Sequence, residues 1–312
     1  MANCLFCYKD AGDLDFHQAC SKKFFGTAKT PLLELDDRLL QELAGETVQE
    51  RIAVTGVQPK LSLTLKKAQD GDSRLTIVGL WGEYILKPQH KRFDQMPETE
   101  DLTMHLAGVF KINTCAHTLL RATDGSLVYI ARRFDRLKNH KLHLEDLCQL
   151  SEFLTENKYK GSYEKAGKLI LKYCVHSGLD ALDYFERVLF SYLTGNNDMH
   201  LKNFSLLHTP QGIALSPAYD LLNVTPVHPA DKEELALTLN GKKSRIRLRD
   251  FVHLAETLGI PPKACQNSFR KFQVKNDEVF RWIDRSYLHD DNKVRYKEIW
   301  LQKQQQLFPA LQ

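Results

Sequence analysis

The pattern of hydrophobic and polar positions predicts short strands in the first part of the chain. Apolar residues stand at every second position in 61–65, and 79–87 is an apolar run that ends in a lysine, as strands of a partly buried sheet do. A polar, glycine-containing turn at 68–73 predicts that two strands are joined as a hairpin. The segment 97–107 has an acidic first turn and apolar residues at helical spacing, which predicts one helix among these strands.

From residue 140 onwards the pattern is that of helices. Apolar residues recur at i, i+3 and i+4 in six segments, namely 142–154, 163–175, 181–193, 251–258, 262–272 and 292–307. The basic run 242–249 alternates Ile246 and Leu248 with arginines, which predicts an edge strand with a solvated face rather than a DNA-binding surface. We therefore expect an α+β fold in which a small β-rich lobe precedes a larger helical lobe.

Composition narrows the class of protein. With 312 residues, of which 43% are hydrophobic, the chain can bury a sizeable core. Its net charge of +4 is mild and indicates no dedicated nucleic-acid surface. No stretch approaches the roughly 20 apolar residues of a membrane span, and nothing at the N-terminus resembles a secretory signal. We expect a cytoplasmic protein without a membrane partner.

Three polar residues in the second half of the chain indicate phosphoryl transfer. Asp198 precedes Asn203 by five residues, and Asp220 follows just beyond a hairpin predicted at 206–215. Protein kinases use this arrangement for a catalytic base and two metal ligands. The Asp198 carboxylate can accept the proton of an attacking hydroxyl, and amide and carboxylate oxygens are the hard ligands that Mg²⁺ requires. Asp and Asn also favour turns, so the interpretation depends on the residues upstream.

The upstream segments occur in the order of a kinase. A glycine-containing loop at 55–60 precedes the first predicted strand and can cradle phosphates. Lys87 ends an apolar strand and can reach the α- and β-phosphates of a nucleotide. On the following helix, either Glu100 or Glu98 can pair with this lysine. The strand at 127–136 then runs into a charged corner, where a kinase places the hinge that contacts adenine.

Five motifs together make the chain resemble a known family. They are Thr-Gly-Val-Gln-Pro-Lys at 55–60, Arg-Phe-Asp-Arg at 133–136, Glu-Asp-Leu-Cys-Gln at 145–149, Asn-Asp-Met-His-Leu-Lys-Asn-Phe-Ser at 197–205 and Ala-Tyr-Asp at 218–220. With these motifs the chain looks like the HipA family of bacterial toxin kinases, particularly its shorter HipT-like members. The resemblance implies a two-lobed protein-kinase-like fold. We expect an N-terminal Cys/His segment in 1–30, the kinase N-lobe in 31–136 and the helical C-lobe with the catalytic loop in 137–312.

The resemblance also implies an activity. Members of the family are ATP- and Mg²⁺-dependent serine/threonine kinases that act as toxins of toxin–antitoxin systems; known ones phosphorylate an aminoacyl-tRNA synthetase and arrest translation. The implied partners are such a protein substrate and a cognate antitoxin, with DNA reached only through the antitoxin. The resemblance makes Asp198 catalytic and Asn203 and Asp220 the magnesium ligands. The residues that it assigns to ATP are Thr55, Gly56, Val57, Gln58, Pro59, Lys60, Lys87, Arg132, Arg133, Phe134, His200, Leu201, Lys202, Asn203, Tyr219 and Asp220.

One regulatory feature of the family is altered in this chain. Family members commonly autophosphorylate a serine in the phosphate loop, which ejects the loop and inactivates the kinase. The corresponding positions here are Ala53 and Thr55, so Thr55 is the remaining candidate for autophosphorylation. The alternative is control by a bound antitoxin alone.

The N-terminal segment contains a candidate metal site. Cys4 and Cys7 form a Cys-x2-Cys motif, and His17 and Cys20 form a His-x2-Cys motif after a spacer of nine residues. This set is compatible with tetrahedral zinc. The alternative is an apolar knob whose cysteines pack as small hydrophobic residues. A disulfide is less favoured, because seven cysteines are an odd number and no secretory signal is visible.

Two other functions are compatible with parts of this pattern. A pseudokinase that serves as an antitoxin-binding module usually lacks one of the residues Lys87, Asp198, Asn203 and Asp220, and all four are present here. A small-molecule kinase shares the same catalytic parts. Only the motifs at 133–136 and 197–205 favour the toxin family over it.

Overall fold

The computed structural model describes residues 3–33, 60–67, 72–78, 81–90, 93–137, 140–223 and 233–309. The chain divides into two compact units. The first comprises Met1–Leu102, Cys115–Arg133 and Arg285–Leu288, and the second comprises Thr103–Thr114, Phe134–Asp284 and His289–Gln312. Within the described ranges, no helix combines the length and the apolar character needed to cross a membrane.

A six-stranded sheet forms the centre of the first unit. Its strands are β1 (Leu32–Leu33), β2 (Leu61–Lys67), β3 (Ser73–Ile77), β4 (Tyr84–Lys87), β5 (His117–Arg121) and β6 (Leu127–Arg132). They follow the order β1-β3-β2-β4-β6-β5, and all neighbours are antiparallel except β1 and β3. Lys67 of β2 lies opposite Ser73 of β3, so the antiparallel pairing expected of a hairpin is confirmed. Residues 68–71 of the predicted turn lie outside the described ranges.

Helix α1 (Gln18–Phe25) packs into the apolar core of this unit. Its Phe24 and Phe25 are buried in one cluster with Leu63 of β2 and Leu86 of β4. The N-terminal segment adds Cys4, Leu5 and Phe16 to the cluster. Most of the other members lie on the strands, where alternate side chains point to the same face.

The second unit is mainly helical. Helix α2 (Met96–Val109) contributes residues to both units. The later helices are α3 (Leu147–Leu150), α4 (Tyr163–Tyr173), α5 (Ser177–Leu193), α6 (Leu248–Thr257), α7 (Pro262–Gln273), α8 (Asn276–Arg285) and α9 (Asp290–Leu307). Helix α5 buries ten residues, as expected of a helix inside a core.

Short strands complete the second unit. They are β7 (Arg136–Leu137), β8 (His140–Lys141), β9 (Leu144–Asp146), β10 (Ser205–Thr209) and β11 (Gly212–Leu215). β7 and β8 form a two-stranded ribbon, and the other three form an antiparallel sheet in the order β11-β10-β9. The predicted hairpin at 206–215 is therefore present as β10 and β11.

The predicted helix at 142–154 is wrong for most of its length. Leu144–Asp146 form strand β9 instead, and only Leu147–Leu150 are helical. The change occurs at Asp146, whose side chain accepts a hydrogen bond from the backbone N–H of Gln149 and so caps a new helix. The apolar spacing of this segment reflects a short strand followed by a short helix.

The predicted edge strand at 242–249 is also wrong. The buried carboxylate of Asp250 folds the segment into a turn, because it accepts hydrogen bonds from Lys242 Nζ and from the backbone N–H of Arg247. Helix α6 then begins at Leu248.

The other five predicted helices correspond to α4, α5, α6, α7 and α9. The spacing of apolar residues does not predict helix α8, because only Val279 and Ile283 of its ten residues are buried.

The backbone of β2 passes close to Gly82, just before β4 begins, and a substitution of this glycine tests that close approach. A Cβ atom there would lie 2.7 Å from both the backbone nitrogen and the backbone oxygen of Leu63. Because a paired strand cannot easily move aside, Gly82→Ala should lower the free energy of unfolding by about 1–3 kcal/mol. Gly178→Ala is the matched control, since a Cβ there meets nothing within 4 Å, and it should be neutral or stabilise by up to about 1 kcal/mol. Urea denaturation measures both; equal midpoints would contradict the close approach.

Candidate active site

The loop at 195–205 follows helix α5 and is held by its own hydrogen bonds. The backbone N–H of Asp198 donates to Asn196 Oδ1 (3.2 Å), and the backbone N–H of His200 donates to the Asp198 carbonyl (2.8 Å). Asn203 Nδ2 donates to the same carbonyl (3.0 Å). Asp198 and Asn203 therefore lie on one compact turn, and the Asn203 amide is oriented with its nitrogen towards the loop backbone.

The Asp198 carboxylate accepts a hydrogen bond from a neutral hydroxyl. Tyr159 Oη donates to Asp198 Oδ1 at 2.5 Å. The pKa of Tyr159 is raised, first by burial and then by the charges of Asp198 and Asp220, so the tyrosine keeps its proton at neutral pH. The charges of both carboxylates thus favour the protonated form of the Tyr159 hydroxyl. The sequence gives no sign of Tyr159, because it lies 39 residues before Asp198, outside every motif.

Tyr219 ties the segment that carries Asp220 to the catalytic loop. Its hydroxyl donates to the Lys202 carbonyl (2.9 Å) and therefore accepts from Ser205 Oγ (2.5 Å). The Tyr219 ring lies 5.7 Å from the ring of Phe134, measured between centroids. Asp220 itself has a left-handed backbone with φ 59°, an uncommon conformation that often occurs at functional sites.

The other predicted residues of the loop make packing and ionic contacts. His200 and Leu201 are buried, and the His200 ring lies edge-on to Tyr159 with centroids 5.0 Å apart. Lys202 Nζ is 2.7 Å from Asp146 Oδ2. Because Asp146 also caps helix α3, its carboxylate joins this helix to the catalytic loop. The sequence places Asp146 in a motif but does not reveal this pairing.

In the first unit, Lys87 forms a buried ion pair at the end of β4. Its Nζ lies 2.5 Å from Glu100 Oε1 on helix α2, and the side chains are only 5% and 1% exposed. Glu98, the other predicted partner, instead accepts hydrogen bonds from Gln89 Nε2 at 2.8 Å. Lys87 Nζ also lies 5.4 Å from the centroid of the Tyr129 ring. Of the two predicted pairings, the structure therefore contains the one with Glu100.

The predicted phosphate loop is described only at its end. Lys60 is exposed at the start of β2, and the residues outside the described ranges are Thr55, Gly56, Val57, Gln58 and Pro59.

The predicted hinge lies where the chain passes from the first unit to the second. The backbone N–H of Arg132 donates to the Ala116 carbonyl, and that of Arg133 donates to the Glu83 carbonyl, both at 2.8 Å. Phe134 is the first residue of the second unit at this crossing.

The predicted residues thus form three groups. Asp198, Asn203 and their neighbours lie together in the second unit, and Lys87 pairs with Glu100 in the first. Also in the first unit, Cys4, Cys7, His17 and Cys20 lie with their ligand atoms within 4.8 Å of one another.

Most of the chain matches the sequence model of a known protein family. Residues 52–279 match the family model of the HipA-like C-terminal domain. "Putative kinase Y4dM" of Sinorhizobium fredii is 29% identical over 235 residues, covering 71% of this chain and 57% of that protein. "Serine/threonine-protein kinase toxin HipA" of Shewanella oneidensis is 26% identical over 234 residues, covering 68% and 52%. The chain spans about half the length of the curated relatives it matches.

Two solved structures share the fold. A chain in the Shewanella oneidensis complex of HipA, HipB and operator DNA matches with a TM-score of 0.68 and 22% identity, over 85% of this chain and 71% of that chain. The Helicobacter pylori proinflammatory kinase CtkA matches with a TM-score of 0.55 and 13% identity, over 76% and 88%. The expected α+β, kinase-like fold is confirmed.

The two glutamates of helix α2 should differ in their effect on stability. Glu100→Gln removes the carboxylate charge that faces the Lys87 ammonium in a buried pair, which typically costs about 3–5 kcal/mol. Glu98→Gln is the matched control; it weakens contacts to a neutral amide, which should cost about 1–2 kcal/mol. The double variant Lys87→Met/Glu100→Gln should recover part of the loss, because no buried charge is then left facing a neutral partner. Urea unfolding measures all three, and equal losses for the two single variants would contradict the assignment.

Proposed function

Because the chain belongs to the HipA-like family, we propose that it is an ATP-dependent serine/threonine kinase that acts as the toxin of a toxin–antitoxin system. Relatives named as kinases support the general activity. The proposed compartment is the cytoplasm, where ATP and the translation machinery are found.

The contact between Asp198 and Tyr159 carries the proposal. A catalytic base for phosphoryl transfer must accept a hydrogen bond from the attacking hydroxyl and then its proton. The Asp198 carboxylate already accepts a hydrogen bond from a protonated hydroxyl at 2.5 Å, with a loop backbone fixed on both sides of it. In the proposed reaction, a serine or threonine hydroxyl of the substrate takes the position of the tyrosine hydroxyl.

The donor atoms fit Mg²⁺ and a nucleotide. Asn203 Nδ2 is bonded to the loop backbone, which leaves Oδ1 as the donor for a hard cation, and Asp220 supplies carboxylate oxygens. Magnesium, when bound, neutralises the charge that develops on the phosphates. Lys87, positioned by Glu100, supplies a cation for the phosphates. The remaining proposed nucleotide contacts come from Thr55, Gly56, Val57, Gln58, Pro59, Lys60, Arg132, Arg133, Phe134, His200, Leu201, Lys202 and Tyr219.

The proposed partners are a cognate antitoxin and a protein substrate. The antitoxin is supported by the Shewanella oneidensis neighbour, which was solved with HipB and operator DNA; we propose that this chain reaches DNA only through such a protein. For the substrate we propose an aminoacyl-tRNA synthetase, as the family resemblance implies, with inhibition of translation as the result.

Two substitutions separate catalysis from nucleotide binding. Asp198→Asn should lower phosphoryl transfer from γ-labelled ATP to proteins of a desalted bacterial lysate by about 10²–10⁴-fold, because the base is lost while the metal ligands remain. Its affinity for Mg-ATP should stay near that of the unsubstituted chain. Asp220→Ala should instead remove the magnesium-dependent part of nucleotide affinity, measured by calorimetry.

Asp284→Asn is the control, because this exposed carboxylate pairs with Lys297 on the surface; it should change neither transfer nor binding. Unchanged transfer in Asp198→Asn would contradict the assigned base. Mg-ATP binding without any transfer by the unsubstituted chain would support the pseudokinase, and transfer only to the small-molecule fraction that desalting removes would support the small-molecule kinase.

For regulation, we propose autophosphorylation of Thr55, the only hydroxyl residue in 51–60. A phosphate there would carry close to two negative charges into the site of the ATP phosphates and repel them. After incubation with Mg-ATP, the intact mass should increase by one phosphoryl group, and this gain should be absent in Thr55→Ala. An active enzyme that gains no mass would show that the switch is missing and would favour control by an antitoxin.

A further inference from the structure

The Cys/His cluster of the first unit has the geometry of a metal site. We propose that Cys4, Cys7, His17 and Cys20 bind one Zn²⁺ ion with a structural role. The four ligand atoms lie within 4.8 Å of one another, and three of the ligands are half-buried while Cys4 is buried. No step of the proposed kinase reaction uses these residues, so the inference stands independently of that function.

The distances around His17 Nδ1 match a tetrahedron. With Zn–S bonds of about 2.3 Å and Zn–N bonds of about 2.0–2.1 Å, a sulfur and a nitrogen at two corners are about 3.6 Å apart. His17 Nδ1 lies 3.5 Å from Cys7 Sγ and 3.7 Å from Cys20 Sγ. One imidazole nitrogen offers a single proton or a single lone pair, so it cannot make two good hydrogen bonds to these sulfurs. A shared cation accounts for both distances.

The other ring nitrogen fixes the tautomer that a metal needs. His17 Nε2 is 2.9 Å from the backbone carbonyl of Asp10. A carbonyl oxygen can only accept, so the proton is on Nε2 and the lone pair of Nδ1 faces the thiols. Histidines that bind zinc typically donate their second nitrogen to a carbonyl or carboxylate in this way.

The first two ligands are brought together by a tight turn. The backbone N–H of Tyr8 donates to the Cys4 carbonyl (2.9 Å), and that of Cys4 donates to the Lys9 carbonyl (2.7 Å). Tyr8 has a left-handed backbone with φ 57°, and its buried hydroxyl donates to Asp101 Oδ2 (2.7 Å). The turn is therefore anchored in the first unit, and Cys4 and Cys7 are held close before a metal binds.

Helix α1 links the proposed zinc site to β4, the strand that carries Lys87. Helix α1 begins directly after His17 and carries Cys20 in its first turn. At its other end, Phe24 and Phe25 pack on Tyr84 of β4, with ring centroids 5.8 and 6.1 Å apart. Zinc would thus fix the start of a helix whose end packs against β4, and removing the metal should destabilise the first unit.

Metal analysis tests the site on the full chain. Protein from zinc-replete cells should contain about one zinc per chain, seen by native mass spectrometry and elemental analysis. Cys7→Ser and His17→Ala should lose the zinc and melt at a lower temperature. His17→Cys should retain it, because a thiolate is an equivalent zinc ligand. Cys265→Ala is the control, since this buried cysteine lies on α7 and should leave the zinc content unchanged.

If the ligand variants do not fold, cobalt substitution of the unsubstituted chain still tests the site. The unsubstituted chain, stripped with a chelator and reloaded with Co²⁺, should show the intense visible bands of tetrahedral cobalt and a thiolate charge-transfer band. A folded, metal-free preparation from zinc-replete cells, iron in place of zinc, or a cobalt spectrum without the thiolate band would overturn the proposal. The first of these results would leave the apolar knob as the correct interpretation.

Discussion

The candidate active site depends on a loop whose apolar residues pack into the helical core of the second unit. Met199, Leu201 and Phe204 are at most 2% exposed and alternate with the residues that would carry the chemistry. The Phe204 ring lies 4.8 Å from the ring of Tyr184 on α5, and the Tyr184 hydroxyl donates to the Tyr163 carbonyl on α4. The helical core therefore holds the loop directly, and positional precision of this kind is what a catalytic group requires.

Three tyrosine hydroxyls complete this support. Tyr159 donates to the Asp198 carboxylate, Tyr163 to the Met199 carbonyl and Tyr219 to the Lys202 carbonyl. Burial is the first cause that raises the pKa of each of these tyrosines. A raised pKa in the folded state means that the stability from these groups is fully present below the unfolded value of about 10 and is lost as the pH rises beyond it. These three tyrosines therefore keep the protons that they donate to the loop at neutral pH.

The sequence predicts the local features better than the long-range ones. The alternation in 61–65 and the helical spacing in 181–193 correspond to β2 and α5, because these periods follow directly from the geometry of strands and helices. The segment 142–154 fails, because three of its residues pair with β10, a strand distant in sequence. The hydrogen bond from Tyr159 to Asp198 joins two loops 39 residues apart, and no local pattern encodes such a contact.

In the proposed function, Asp198 is the catalytic base of a protein kinase. Quantitative phosphoproteomics of cells that express either the unsubstituted chain or Asp198→Asn at equal levels tests it most directly. We predict that a small set of serine or threonine sites gains phosphate only with the unsubstituted chain, and that growth and translation slow in parallel. Identical phosphoproteomes from two folded, ATP-binding proteins would contradict the account.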